Sequence, residues 1–85
     1  METQTKERIQ QFIVQNFYVP EETKLGDETS LIETGIVDST GVLELVAFLE
    51  KNFEIAVADK DIVPANLDSI ARMAAFVART RERSS

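Results

Sequence analysis

The sequence contains neither cysteine nor histidine among its 85 residues. Without cysteine the chain has no means of forming a disulfide, a thiolate metal site or a cysteine nucleophile. Without histidine it lacks the usual general base at neutral pH, the usual partner of a serine nucleophile and the commonest zinc ligand. The side chains that remain for chemistry are carboxylates, hydroxyls, amines and one tyrosine.

The chain is also short, and it has few basic residues. A length of 85 residues predicts a single domain over residues 1–85, with one modest core and no deeply enclosed active site. Its 9 Lys and Arg residues against 15 Asp and Glu residues leave a net charge of −6, which argues against nucleic-acid binding. No apolar run approaches the roughly 18 residues of a membrane-spanning helix, and the N-terminus lacks the apolar core of a signal peptide. We therefore expect a soluble, cytoplasmic monomer that does not insert into membranes.

Most of the negative charge lies in the middle of the sequence. Residues 21–61 hold eleven acids and three bases, a local charge of −8, whereas residues 62–85 hold two acids and four bases, a local charge of +2. This acidic block is either an ordinary solvated surface or a docking face for a basic partner.

Apolar residues recur at helical spacing in three segments, residues 3–17, 39–53 and 67–81. The three stripes are Ile9, Phe12, Ile13 and Phe17; Val42, Leu45, Val46, Leu49 and Phe53; and Leu67, Ile70, Met73, Ala74 and Val77. Together with one short helical turn, these segments predict an all-α fold. It is a small four-helix bundle of three main amphipathic helices and a short third helix, with a long loop between helices one and two.

Prolines and polar residues set the expected ends of these helices. Pro20 stops the first helix, because the residue before a proline avoids the helical region. Asn66 caps the last helix. Between the second and last helices we expect a short helical turn near residues 59–63 that ends at Pro64, with a brief strand over residues 54–58 as the alternative.

The connection over residues 18–38 is long for so small a domain, and such connections are usually functional or anchored to the core. It is rich in turn-forming residues but also contains five apolar residues that we expect to anchor it. They are Leu25, Leu31, Ile32, Ile36 and Val37.

Neighbouring acids occur at three places, residues 21–22, 27–28 and 59–61. Sequence neighbours rarely converge on one substrate, and nothing around them would raise one pKa above the other, so we do not expect a carboxylate-dependent hydrolase. The third set lacks the glycine and the final glutamate of a calcium loop, so we expect no metal site.

The junction between the long loop and the second helix is more informative. Ser39 stands at the start of that helix, where free amides and the helix dipole favour a phosphate or phosphodiester. The alternative is that Asp38 and Ser39 simply cap the helix.

One side of the second helix combines apolar and acidic residues next to this serine. A helical wheel places Leu43 and Ala47 on the side of the helix that also holds the glutamates Glu44, Glu50 and Glu54. The pattern is that of a recognition surface, or else the two apolar residues merely widen the core stripe.

The run Gly35-Ile36-Val37-Asp38-Ser39-Thr40, followed by Gly41-Val42-Leu43-Glu44-Leu45-Val46, resembles the attachment motif of acyl and peptidyl carrier proteins. The resemblance covers nearly the whole chain: a first helix, a long loop, an Asp-Ser pair opening helix two, a short third helix and a last helix. It implies that a phosphopantetheinyl transferase attaches 4′-phosphopantetheine from coenzyme A to Ser39, with Asp38 and Thr40 flanking the attachment point.

The resemblance also implies what the protein does. The attached arm ends in a thiol, so a chain without cysteine would carry an acyl or aminoacyl group as a thioester between partner enzymes, and would itself catalyse nothing. Leu43, Glu44, Ala47, Glu50 and Glu54 are then expected to meet partners with a basic docking surface, namely a ligase or an acyltransferase or synthase.

Two residues depart from the usual family pattern. The residue after the serine is often leucine but here is Thr40, and the position of Ala47 is often larger. The start of the motif also looks like that of free-standing carriers loaded by a dedicated adenylating ligase, including aminoacyl and D-alanyl carriers, and this is the type we expect. The alternatives are a carrier of type II fatty-acid synthesis and an unmodified acidic interaction module.

Overall fold

The computed structural model describes residues 2–20 and 23–84 of the chain. Within these residues the elements are α1 (Glu2–Asn16), α2 (Ser39–Phe53), a 3-10 turn (Asp59–Asp61), α3 (Pro64–Leu67) and α4 (Ile70–Ser84). No strand occurs in these two ranges, so the alternative of a strand at 54–58 is wrong. The all-α bundle of three long helices and a short third helix is confirmed.

The core is filled by the predicted stripes of α1, α2 and α4. Its largest fully buried side chains are Phe76, Ile9, Ile13, Leu31, Leu45, Leu49, Ile70 and Met73. A chain of aromatic contacts joins α1 to α2: the rings of Phe12 and Phe48 stack with their centroids 4.1 Å apart, and Phe48 meets Phe53 edge-on at 5.9 Å. Burial of these apolar faces holds the helices together.

The second helix begins and ends where the sequence predicts, but other boundaries differ. Helix α1 ends at Asn16, before Pro20, so the proline does not terminate it directly. Pro64 begins α3 instead of ending a turn, because a proline at the first helical position loses no hydrogen bond. The predicted turn at 59–63 is therefore a shorter 3-10 turn followed by a separate helix.

The last helix begins at Ile70, three residues later than predicted. Its N-cap is Ser69, whose hydroxyl oxygen accepts a hydrogen bond from the amide of Arg72 at 3.1 Å. Asn66 is not the cap; its side-chain amide donates to the carbonyl of Asp61 at 2.9 Å. The chain thus turns between Leu67 and Ile70, although the apolar pattern alone predicts a continuous helix there.

Asp68, in the turn between α3 and α4, forms hydrogen bonds with residues 30–32 of the long loop, and we call this set of bonds the Asp68 latch. The Ser30 hydroxyl donates one hydrogen bond that the two carboxylate oxygens of Asp68 share, at 2.9 and 2.8 Å, and the Ile32 amide donates another at 3.0 Å. The Asp68 carbonyl accepts from the Leu31 amide at 2.7 Å. These bonds seat Leu31 in the core, whereas Ile32, predicted as an anchor, is 43% exposed.

We expect Asp68→Ala to lower the free energy of unfolding by about 2–3 kcal/mol, because it removes the charged acceptor of two donors, the Ser30 hydroxyl and the Ile32 amide. Chemical denaturation followed by circular dichroism measures the change. Glu28→Ala, which removes an exposed carboxylate from the same loop, is the control and should cost less than about 0.5 kcal/mol. Equal stability of the two variants would show that the latch contributes nothing.

Candidate functional site

The start of α2 is capped by Asp38, which settles the two roles that the sequence left open. Asp38 has an extended backbone (φ −103°, ψ −173°), and its carboxylate accepts a hydrogen bond from the Gly41 amide at 2.7 Å. Its carbonyl accepts from the Val42 amide at 3.0 Å. Since Asp38 fills the capping role, Ser39 is the first helical residue and is not needed as a cap.

The Ser39 side chain lies on the surface. Among the described residues, none forms a hydrogen bond with its hydroxyl, nor with the backbone amides of Ser39 and Thr40. An accessible hydroxyl therefore stands beside two available amides at the positive end of a helix. That combination suits a phosphodiester formed on the serine oxygen.

Buried residues on both sides hold this junction in place. Before the junction, Ile36 and Val37 are buried, and the Val37 amide donates to the Leu31 carbonyl at 3.1 Å. After it, Gly41 packs so closely that an added Cβ would lie 2.7 Å from a ring carbon of Phe17. Ser39 is thus presented from a fixed backbone, with no side chain at position 41 to separate α2 from α1.

A mainly apolar groove of about 270 Å³ adjoins the serine. Asp38 and Ser39 lie at its edge, and the rest of its lining is Ile32, Val37, Val42, Ile62, Val63, Pro64 and Leu67. The exposed hydroxyl, the free amides and this groove together fit a phosphate-linked arm with a less polar distal part. The sequence did not indicate the groove, because its walls come from segments about 30 residues apart whose approach depends on the Asp68 latch.

The outer face of α2 remains uncovered beside this site. Thr40, Leu43, Glu44 and Ala47 are all exposed, and Leu43 is 62% accessible. The alternative that Leu43 and Ala47 widen the core stripe is therefore wrong. An exposed leucine flanked by an acid is suited to contact another protein.

The other two glutamates predicted on this face are placed differently. Glu50 is half-buried, and its carboxylate accepts a hydrogen bond from the Val57 amide at 2.9 Å, bracing the chain that leaves α2. Glu54 follows the last residue of α2 in a left-handed conformation (φ 54°), at the far end of the helix from Ser39. The structure therefore brings Thr40, Leu43, Glu44 and Ala47 together with the serine, but not Glu54.

The neighbouring acids of the sequence are only partly covered by the described residues. Of the neighbouring acids, Glu21 and Glu22 lie outside the described residues, while Asp27 pairs with Lys6 at 3.3 Å. Within the part of the chain that the structure describes, no group of His, Cys, Asp or Glu side chains could hold a metal ion. No helix in that part is long and apolar enough to cross a membrane.

The chain matches a known protein family and is similar to a known protein. The family described as "Phosphopantetheine attachment site" matches residues 7–77, a span that includes Ser39 and all of α2. The chain is also 33% identical over 69 residues to "Probable acyl carrier protein PigG" of Serratia sp. (strain ATCC 39006). That alignment covers 81% of this chain and 79% of the relative.

Proposed function

Because the chain belongs to the phosphopantetheine-attachment family and is an acyl carrier protein with a 4′-phosphopantetheine prosthetic group, we propose that Ser39 is the residue that bears this group. The observation that supports the assignment best is that different residues cap α2 and present a hydroxyl at its start. Asp38 caps the helix, which leaves the neighbouring serine hydroxyl exposed and without a hydrogen bond among the described residues.

The residues around the serine have distinct roles in this proposal. Asp38 fixes the first turn, so that Ser39 is offered in one backbone conformation to a phosphopantetheinyl transferase. The amides of Ser39 and Thr40 are the donors closest in sequence to a phosphate on the serine oxygen. When attached, the prosthetic group supplies the thiol that the chain lacks, and it carries acyl groups as thioesters. The protein itself is a carrier and not a catalyst.

The test is the intact mass of the full-length chain after incubation with coenzyme A and a phosphopantetheinyl transferase of broad specificity. We expect a gain equal to one phosphopantetheine group. A folded chain that gains no mass, while a known carrier in the same assay is converted, would contradict the proposal.

We further propose that a dedicated adenylating ligase loads the carrier and that other partner enzymes then receive the carried group. The departures at Thr40 and Ala47 support this type over a carrier of fatty-acid synthesis, because they make the exposed face of α2 smaller and more polar. The test supplies the phosphopantetheine-bearing protein either with an amino-acid ligase, amino acids and ATP, or with a fatty-acid malonyl transferase and malonyl-coenzyme A. Loading by the transferase alone would favour the fatty-acid alternative.

Three expectations stay predictions from the sequence: the cytoplasmic location, the monomeric state and the extent of the single domain.

Charge-reversing substitutions on α2 distinguish an effect on partner docking from an effect on the stability of the fold. We expect Glu44→Lys to slow loading by a ligase with a basic docking surface, and to change the free energy of unfolding by less than about 0.5 kcal/mol. We expect Glu50→Lys to lower it by about 1–2 kcal/mol, because the Val57 amide loses its acceptor. Loading rates at low and high salt, together with denaturation curves, measure both effects. A Glu44→Lys variant that loads at the unchanged rate at low salt would remove this face from the docking surface.

A further inference from the structure

A second cleft, of about 440 Å³, lies at the end of the bundle away from Ser39. It is bordered by the beginning of α1, the end of α2 and the end of α4, and its apolar lining includes the buried residues Phe53, Ala74 and Val77. Because α2 has 15 residues and a helix rises ~1.5 Å per residue, this cleft is roughly 20 Å from the serine. It is therefore separate from the attachment site.

Three cations from three different helices line this cleft: Arg8 of α1, Lys51 of α2 and Arg81 of α4. Glu54 is the one acid among its described lining residues, which leaves a local surplus of two positive charges. This surplus contrasts with the net charge of −6 of the whole chain. The cleft is thus a basic site on an acidic protein.

Among the side chains that the structure describes, none forms an ion pair or a hydrogen bond with these three cations. Lys6 of α1, in contrast, forms an ion pair with Asp27 at 3.3 Å. The arginines elsewhere on α4 show the contrast: Arg72 donates to the Pro64 carbonyl at 3.3 Å and Arg79 to the Asn66 side chain at 3.0 Å. The cleft cations remain available for an external anion.

We propose that this cleft binds an acidic peptide segment of a partner protein. Two arginine guanidinium groups and a lysine suit carboxylates, since guanidinium forms paired hydrogen bonds with them. Phe53, Ala74 and Val77 form the floor of the cleft but are almost fully buried, so the exposed cations at its rim supply most of the recognition. The rest of the surface is acidic and repels such a segment, so charge directs it to this end of the bundle. A partner held there leaves Ser39 and the outer face of α2 accessible.

The test measures the binding of a fluorescein-labelled peptide of alternating glutamate and leucine to the full-length chain by fluorescence anisotropy. The matched peptide with glutamine in place of glutamate should bind about tenfold more weakly, and added salt should weaken the acidic peptide's binding. Equal binding of the two peptides, or no binding of either, would overturn the proposal. Displacement by sub-millimolar inorganic phosphate would also overturn it, because the cleft would then recognise a small anion instead of a peptide.

Variants of the chain assign the binding to this cleft. Arg8→Gln combined with Arg81→Gln should weaken binding about tenfold, and Lys51→Gln alone should weaken it severalfold. Glu54→Gln should act in the opposite direction and tighten binding about twofold, since it removes the one acid of the described lining. The control is Lys60→Gln, which removes an exposed cation outside the cleft and should change binding less than about twofold. If the control weakens binding as much as the cleft variants, the effect is one of overall charge and the proposal fails.

Discussion

Ser39→Ala and Ser39→Asp should both abolish the mass gain produced by coenzyme A and a phosphopantetheinyl transferase, while leaving the domain folded. The loss follows because neither side chain offers a hydroxyl at the proposed attachment point. The fold persists because the cap is the Asp38 carboxylate on the Gly41 amide, and Ser39 contributes no described hydrogen bond to it. An aspartate in the first turn of α2 also interacts favourably with the helix dipole, so Ser39→Asp should melt no lower than the parent protein.

Thr40→Ala is the matched control for these two variants. It removes the adjacent exposed hydroxyl but keeps the backbone amide at position 40, so the mass gain should persist. Intact mass and thermal denaturation of the four proteins supply both readouts. In an unmodified interaction module, Ser39→Asp would leave partner binding intact. A carrier with this substitution has no attachment point, so full loading of the variant with an acyl group would contradict the carrier assignment.

Leu49→Ala should lower the free energy of unfolding by about 2–5 kcal/mol, a large part of the stability of a domain this small. Leu49 is fully buried between the helices (0% exposed), and its truncation leaves a cavity that the packed core closes only in part. Urea denaturation followed by circular dichroism measures the loss.

Leu43→Ala makes the same chemical change on the opposite face of the same helix. Because Leu43 is 62% exposed, its truncation should change the free energy of unfolding by less than about 0.5 kcal/mol. Its effect should instead fall on loading by a partner enzyme, through lost apolar contact. A large loss of stability in Leu43→Ala, or none in Leu49→Ala, would mean that the faces of α2 are assigned the wrong way round.

The second helix was fully predictable because all of its determinants are local. A stripe from Val42 to Phe53 sets its buried face, and a short polar residue before Ser39 caps its start. The same local chemistry predicted that Ser39 stands at the start of this helix, where the structure shows it to be exposed. The choice between Asp38 and Ser39 as the cap needed the three-dimensional structure, since both side chains are able to cap a helix.

The boundary between α3 and α4 was not predictable, because the interaction that fixes it is nonlocal. Asp68 would suit the first turn of a continuous helix, yet its carboxylate binds Ser30, which is 38 positions away in sequence. The same limit applies to the hydrogen bond from the Val57 amide to the Glu50 carboxylate, which joins residues seven positions apart and was not predictable from the sequence. Local propensity was outweighed in both cases by a contact that only the folded chain brings together.

The two clefts were not predictable from the sequence for a related reason, because each is lined by residues from separate segments of the chain. The groove beside Ser39 joins residues of the long loop to residues of α3, and the basic cleft joins Arg8, Lys51 and Arg81 from three helices. In the sequence these three cations stand in separate segments, one of them inside the acidic block of residues 21–61. Only the packing of α1 against α4, and of both around the end of α2, gathers them.

Attachment of phosphopantetheine at Ser39 is tested most directly by tandem mass spectrometry of the chain after modification with coenzyme A and a phosphopantetheinyl transferase. We expect the fragment that contains Asp38, Ser39 and Thr40 to carry the added group, and the fragment ions to place it on the Ser39 oxygen. Attachment at Thr40 or at any other hydroxyl, or an unmodified fragment from a folded protein, would contradict the account.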